Sequence, residues 1–268
     1  MASGPPTWPI DRDRLARTRF ADIRVYDQIA STNSELLAEA RLGGPEGVVA
    51  VADWQSAGRG RLQRTWSARP GTSLLVSVLL RPQMSVNRLG LVTMTVALAA
   101  ADGVERVAGF RPGLKWPNDL VVADRKLAGV LAESAPGGFG VAVVVGVGLN
   151  VSAGAFPPEL GGVATTCEDE AGRPVDRAEL LIAFLEALES RYSGLFSAGG
   201  GEQTLADYRA GSATLGRRVR VELADGTAVE GTAGQIGWNG QLIVVDDAGR
   251  HVAVNAGDVT HLRPAEPG

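Results

Sequence analysis

Gly113-Leu-Lys-Trp-Pro-Asn-Asp-Leu-Val-Val-Ala-Asp-Arg-Lys-Leu-Ala-Gly-Val-Leu-Ala-Glu133, followed after a Gly-rich break by Val141-Ala-Val-Val-Val-Gly-Val-Gly-Leu-Asn-Val151, is the stretch that decides the architecture. It holds four apolar segments, Gly113–Trp116, Asp119–Ala123, Lys126–Glu133 and Val141–Val151. Only short turns separate them, Asp124-Arg125 and then Gly137-Gly138. Strands joined by tight turns, with no helix between them, predict an antiparallel meander.

Working upstream, Asn87–Val107 places Leu89, Val92 and Val96 at core spacing for a long helix. Gly47–Asp53 and Thr72–Leu80 have strand character, and Trp54–Ser67, rich in Gly and Arg, reads as a loop. Thr32-Asn-Ser-Glu35 has capping-box spacing and predicts a helix start, with Leu36, Leu37 and Ala40 as the apolar face. The first strand-like segment is Ile23–Tyr26, so residues 1–22 read as a tail.

Downstream, Asp176–Phe196 is amphipathic, and the run Gly199-Gly-Gly201 breaks it before a shorter helix reaching Tyr208. Beyond Leu215 come short alternating strands, punctuated by Asp225-Gly226, Asn239-Gly240 and Ala248-Gly249, which is the texture of a small barrel. The expected fold class is α+β. A mixed or antiparallel sheet flanked by helices occupies residues 23–212, and a small β-barrel occupies 213–268.

Composition removes several function classes. Lys+Arg total 26 against 30 Asp+Glu in 268 residues, a net charge of −4 that does not suit a chain built to grip nucleic acid. The single cysteine, Cys167, excludes an internal disulfide and a zinc-finger cluster. Both histidines, His251 and His261, lie near the C-terminus, which excludes a mid-chain Ser-His-Asp triad or His-rich metal site. The N-terminus has no apolar signal segment, and Leu89–Val104 is too short to span a bilayer. Of the 26 basic residues only Lys115 and Lys126 are lysines. A compact ammonium at those two positions suggests sites where the planar fork of arginine fails.

Two glycines and three arginines, Arg59, Arg61 and Arg64, stand in the loop Gln55-Ser-Ala-Gly-Arg-Gly-Arg-Leu-Gln-Arg-Thr-Trp66. Such a loop can hold a carboxylate or phosphate; by itself it is equally a solvated basic loop. It is neither a P-loop nor a dinucleotide fingerprint.

Five motifs then occur in order: Ser31-Thr-Asn33, Gly58-Arg-Gly-Arg61…Trp66, Lys115-Trp-Pro-Asn-Asp119, Arg125-Lys-Leu-Ala-Gly-Val-Leu131 and Gly146-Val-Gly-Leu-Asn150. Together they resemble the biotin protein ligases, over about residues 25–265. One departure is Leu62-Gln63, where the family's basic loop commonly continues Arg-Gly. The family's larger bacterial members carry an N-terminal winged helix-turn-helix, for which this chain is too short.

The resemblance implies a class II synthetase-like catalytic domain with an SH3-like barrel. It also implies a reaction joining biotin and ATP, with Mg²⁺, to give biotinyl-5′-AMP and pyrophosphate. Biotin would then pass to a lysine of a biotin carboxyl carrier domain of an acyl-CoA carboxylase or pyruvate carboxylase. Biotin would contact Ser31, Thr32, Asn33, Gln55, Gly58, Arg59, Gly60, Arg61, Lys126 and Gly129. The nucleotide would contact Arg61, Trp66, Lys115, Asn118, Lys126, Asn150, Phe156 and Arg263. Lys126, Arg59 and Arg61 would be catalytic. Asn118 and Asp119 are the candidate Mg²⁺ ligands, Asp119 equally serving as a turn carboxylate. Residues 152–166 would form a second loop over the nucleotide. The expected protein is cytoplasmic, free of DNA and membrane partners, with a monomer favoured over a weak dimer. The rival readings are a lipoate protein ligase of the same fold and a nucleic-acid-binding module.

Overall fold

The computed structural model describes residues 9–137, 140–223, 225–255 and 257–262. Seven strands form the main sheet: β1 (Ile23–Ile29), β2 (Val49–Gln55), β3 (Ser73–Leu80), β4 (Gly113–Lys115), β5 (Asp119–Val122), β6 (Arg125–Gly137) and β7 (Gly140–Asn150). Their order is β1-β2-β3-β7-β6-β5-β4. The predicted meander is present as β4 to β7, and only β1–β2 is parallel, so the sheet is mixed.

Period-2 alternation gives this sheet two apolar faces. On one lie Val49, Val51, Val76, Val78, Val143 and Val145, buried under the long helices α3 (Gly90–Ala108) and α5 (Arg177–Leu195). On the other, Ala50, Leu79, Ala142 and Val144 pack against Leu36, Leu37 and Ala40 of α2 (Thr32–Arg41). The cap of α2 is Ser31, whose Oγ accepts from Ser34 N, one residue earlier than the Thr32 capping box predicts. Thr32 instead turns inward and is buried.

The segment expected as a tail is docked wherever it is described. Helix α1 (Arg12–Leu15) sends Leu15 into the core together with Phe20, and Arg14 and Arg19 pair with Glu179, Glu186 and Glu189 of α5. Two further elements escaped the sequence pattern: α4 (Cys167–Ala171) and a final strand, β12 (Asp258–His261). Gly200 and Gly201 open α6 (Gly200–Ala210) rather than only breaking the preceding helix. The C-terminal sheet is antiparallel in the order β11-β10-β9-β8-β12, formed by β8 (Arg218–Glu222), β9 (Ala228–Ile236), β10 (Leu242–Val245), β11 (His251–Val254) and β12. It is fastened to the meander through Trp116, whose backbone N donates to Thr214 Oγ1 at 3.0 Å and whose Nε1 donates to Gly240 O at 2.9 Å. Among the described residues no helix is long and apolar enough to cross a membrane.

Candidate functional site

The face of β7 that carries Ala142 and Val144 continues with Gly146, Gly148 and Asn150. The matching face of β6 runs Glu133, Leu131, Gly129. Where the side chains stop, a cavity of about 350 Å³ opens beyond the N-terminus of α2. The glycines are needed because other side chains pass close to them. A Cβ at Gly148 would lie 2.5 Å from Cε2 of Trp66, one at Gly129 3.2 Å from Trp66 and 3.3 Å from Nζ of Lys126, and one at Gly146 would collide with Asn33 Oδ1.

One end of the cavity is neutral and polar. Ser31, Thr32, Asn33 and Gln55 line it, and Thr32 N and Oγ1 both donate to Gln55 Oε1, at 2.7 and 3.1 Å. Ser77, fully buried on β3, has its Oγ 2.7 Å from Thr32 Oγ1 and 2.6 Å from Asn33 Oδ1. Asn33 Nδ2 donates to Leu131 O at 3.2 Å and to Glu133 Oε2 at 2.8 Å.

The other end is cationic. Lys126, at the start of β6, places Nζ 2.7 Å from Asp119 Oδ1 and 5.6 Å from the centre of the Trp66 ring. Arg61 donates to Asn118 Oδ1 at 3.2 Å and to Gly257 O at 3.1 Å, both neutral acceptors. Burial lowers its pKa, an effect opposed by the nearby charges of Asp258 and Asp119. A half-buried guanidinium that, among the described residues, hydrogen-bonds only neutral groups is poised for an anionic ligand. Arg59 pairs with Glu133 at 2.8 Å. Arg64, exposed, pairs with Asp258 of β12, so the C-terminal sheet holds the basic loop from outside. Within that loop Leu62 adopts left-handed backbone geometry (φ 52°) and is 57% exposed.

Fourteen expected site residues line this one cavity: Ser31, Thr32, Asn33, Gln55, Arg59, Gly60, Arg61, Trp66, Asn118, Asp119, Lys126, Gly129, Asn150 and Phe156. Gly58 and Lys115 do not. Gly58 lies under the Trp66 carbonyl, and Lys115 is near enough to His261 to lower that ring's pKa, a cause smaller than burial and Arg217. Arg263 lies outside the described residues. Asn118 is engaged on both sides, its Nδ2 donating to Val130 O at 2.8 Å, so its amide orients Arg61 rather than standing free for a metal. Among the described residues no three His, Cys, Asp or Glu side chains gather as a metal cage. The second loop contributes Phe156, Pro157 and Leu160, and Lys126 is held to it by backbone bonds to Val163 O and from Thr165 N. Cys167 is buried with its thiol pushed up to about 12, which removes it as a nucleophile.

Sequence reasoning missed Ser77, Glu133, Gly148 and Asp258. Gly148 stood in a quoted motif, but its role depends on Trp66, far away in sequence. Asp258 sits on a strand that was not recognised.

Residues 25–150 match the model of the biotin/lipoate A/B protein ligase family, and residues 214–262 match the biotin protein ligase C-terminal domain. The chain is 41% identical over 259 residues to biotin–[acetyl-CoA-carboxylase] ligase of Mycobacterium tuberculosis, covering 94% of each. The chain belongs to the biotin protein ligase family. It is also 35% identical over 170 residues to the bifunctional ligase/repressor of Bacillus subtilis, of whose length the match covers 52%. Among solved structures, biotin protein ligase of Aquifex aeolicus in complex with biotin and ATP superposes with a TM-score of 0.78 at 25% identity, covering 90% of this chain and 99% of that one. That likeness embraces the biotin protein ligase architecture of a helix-flanked mixed sheet followed by an antiparallel one.

Proposed function

We propose that this chain activates biotin with ATP and transfers it to a lysine of a biotin carboxyl carrier domain. The observation that carries this reading is the polarity of this cavity. Neutral donors and acceptors on Thr32 and Gln55 suit a cyclic urea, while Lys126 and Arg61 at the other end suit a carboxylate meeting a phosphate. Lipoate, with an apolar dithiolane, makes no use of the Thr32–Gln55 end.

In this reading no side chain attacks the substrate. The biotin carboxylate is itself the nucleophile at the α-phosphate, and catalysis comes from positioning and charge stabilisation. Lys126 Nζ neutralises both anions as they approach and exchanges Asp119 for them. Arg61, oriented by Asn118, holds the phosphate, and Arg59 closes the loop over the carboxylate. Trp66, whose Nε1 is buried without a hydrogen-bond partner among the described residues, and Asn150 with Phe156 form the nucleotide end. Mg²⁺ normally keeps several waters and binds through one or two carboxylates plus phosphates, so Asp119 beside the nucleotide's own oxygens would hold it and screen the triphosphate charge.

The same reading divides the chain near residue 212 into a catalytic unit and a smaller one that braces the basic loop through Asp258. It takes the protein to act as a cytoplasmic monomer on acyl-CoA carboxylase or pyruvate carboxylase carriers. Pyrophosphate release should require biotin and ATP and be absent with lipoate; release with lipoate alone overturns the assignment.

A further inference from the structure

Glu133 belongs to no motif that suggested the site, yet its Oε2 accepts both from Arg59 Nη2 and from Asn33 Nδ2, each at 2.8 Å. Together with the contacts of Ser77 this makes one continuous polar chain beneath the cavity, Gln55–Thr32–Ser77–Asn33–Glu133–Arg59. Its first member lies at the neutral end of the cavity and its last in the basic loop. Three oxygen–oxygen contacts, Gln55–Thr32 at 3.1 Å, Thr32–Ser77 at 2.7 Å and Ser77–Asn33 at 2.6 Å, are served by only two hydroxyl protons. One contact therefore always lacks a proton. A ligand N–H donated to Gln55 Oε1 frees the Thr32 hydroxyl to point to Ser77, whose own proton points to Asn33. Ser77, already the donor to Asn33 Oδ1, then also accepts from Thr32 and donates more strongly, and Asn33 Nδ2 becomes a stronger donor to Glu133, since hydrogen bonds in a chain polarise one another.

We propose that Glu133 is a positioning residue which anchors Arg59 to this chain, so that filling the ureido end of the cavity and ordering the Gly58–Arg64 loop are coupled. The proposal rests on the biotin reading above and adds to it a residue that acts through Arg59 rather than on the substrate.

Trypsin cleavage at Arg59, Arg61 and Arg64, with and without biotin, tests the coupling directly, alongside the KM for biotin in pyrophosphate release. In the wild-type chain biotin should slow cleavage. In Glu133→Ala that protection should vanish and the KM for biotin rise about ten-fold or more, as for a lost hydrogen bond to a charged group, with the KM for ATP unchanged. Ser77→Ala cuts the chain between its ends and should also abolish protection while leaving Arg59 and Glu133 in place, and circular dichroism verifies that both variants fold. Added to Arg59→Ala, Glu133→Ala should cause no further rise in KM, because Glu133 works only through that arginine. Retained protection in folded Glu133→Ala, or additive losses in the double variant, overturns the coupling alone. A wild-type chain that shows neither protection nor biotin-dependent pyrophosphate release overturns the biotin reading along with it.

Discussion

Lys126 Nζ sits 2.7 Å from Asp119 Oδ1 and faces the Trp66 ring, with Gly129 as the neighbour that leaves it room. The ammonium is therefore held in place by a carboxylate that, in the proposed reaction, the more strongly anionic substrate pair would displace. A guanidinium keeps the charge but brings a wide planar head into a space bounded by an indole and a glycine. Lys126→Arg should lower the rate of adenylate formation by ~10²–10³, about 2.7–4 kcal/mol of lost preorganised stabilisation. Lys115→Arg, off the cavity lining, should lose far less. Pyrophosphate release with circular dichroism as a folding control checks both, and a folded Lys126→Arg enzyme within a few-fold of wild type contradicts the assignment.

Gly148→Ala should act through Trp66. The new Cβ, 2.5 Å from the indole, must push the ring out of its place, and overpacking of this kind typically costs about 1–3 kcal/mol. The KM for ATP should rise more than the KM for biotin, because Ser31, Thr32 and Gln55 lie at the other end. Equal effects on the two constants would count against Trp66 at the nucleotide end.

Much of this was legible in the sequence, and what was not has a common cause. The meander from Gly113 to Val151 could be read because its turns are local, and the helix of Leu36, Leu37 and Ala40 because its period is. Thr32, Arg61 and Lys126 could be placed together through the ordered motifs, and Gln55 through the family resemblance those motifs carry. Ser77, by contrast, is one small residue in an apolar strand, and only the pairing of β3 with Gly146 shows that it lies between Thr32 and Asn33. Phe20 and Leu15 looked like tail because the core they join, with α5 packed beside α1, is distant in sequence. Lys115 was grouped with Lys126 by composition, which carries no information about the side of a strand on which a residue points.

Leu62→Gly should not destabilise the fold. A left-handed leucine costs about 1–2 kcal/mol, and this one is mostly exposed, so glycine relieves strain and gives up little burial. An unchanged or raised Tm is expected in a thermal melt. A clear fall in Tm would show that Leu62 packs to structural effect.

The clasp between the two sheets should show two pH windows. The hydrogen bond from Arg217 holds Asp124 down at about 2, with His261 assisting. That contribution is complete above the ordinary carboxylate range near 4 and disappears as pH falls toward 2. Since Asp124 is half exposed, it amounts to under about 1 kcal/mol. Asp124→Asn should therefore lower Tm at pH 7 and match wild type near pH 2. Burial lowers the pKa of His261, and Arg217 and Lys115 add to this. Its protonation favours the unfolded chain, so stability should also decline as pH drops below about 6.5. Melting curves from pH 2 to 8 resolve both windows, and a His261→Gln variant that keeps the decline below 6.5 contradicts the second.

The most direct measurement is the mass of a biotin carboxyl carrier domain after incubation with the full chain, ATP, Mg²⁺ and an equal mixture of biotin and lipoate. A single biotinyl increment on the carrier lysine, lost when ATP is omitted, is the predicted result. A lipoyl increment, or an unmodified carrier in a reaction that still consumes ATP, would contradict the assignment of the Thr32–Gln55 end to a cyclic urea.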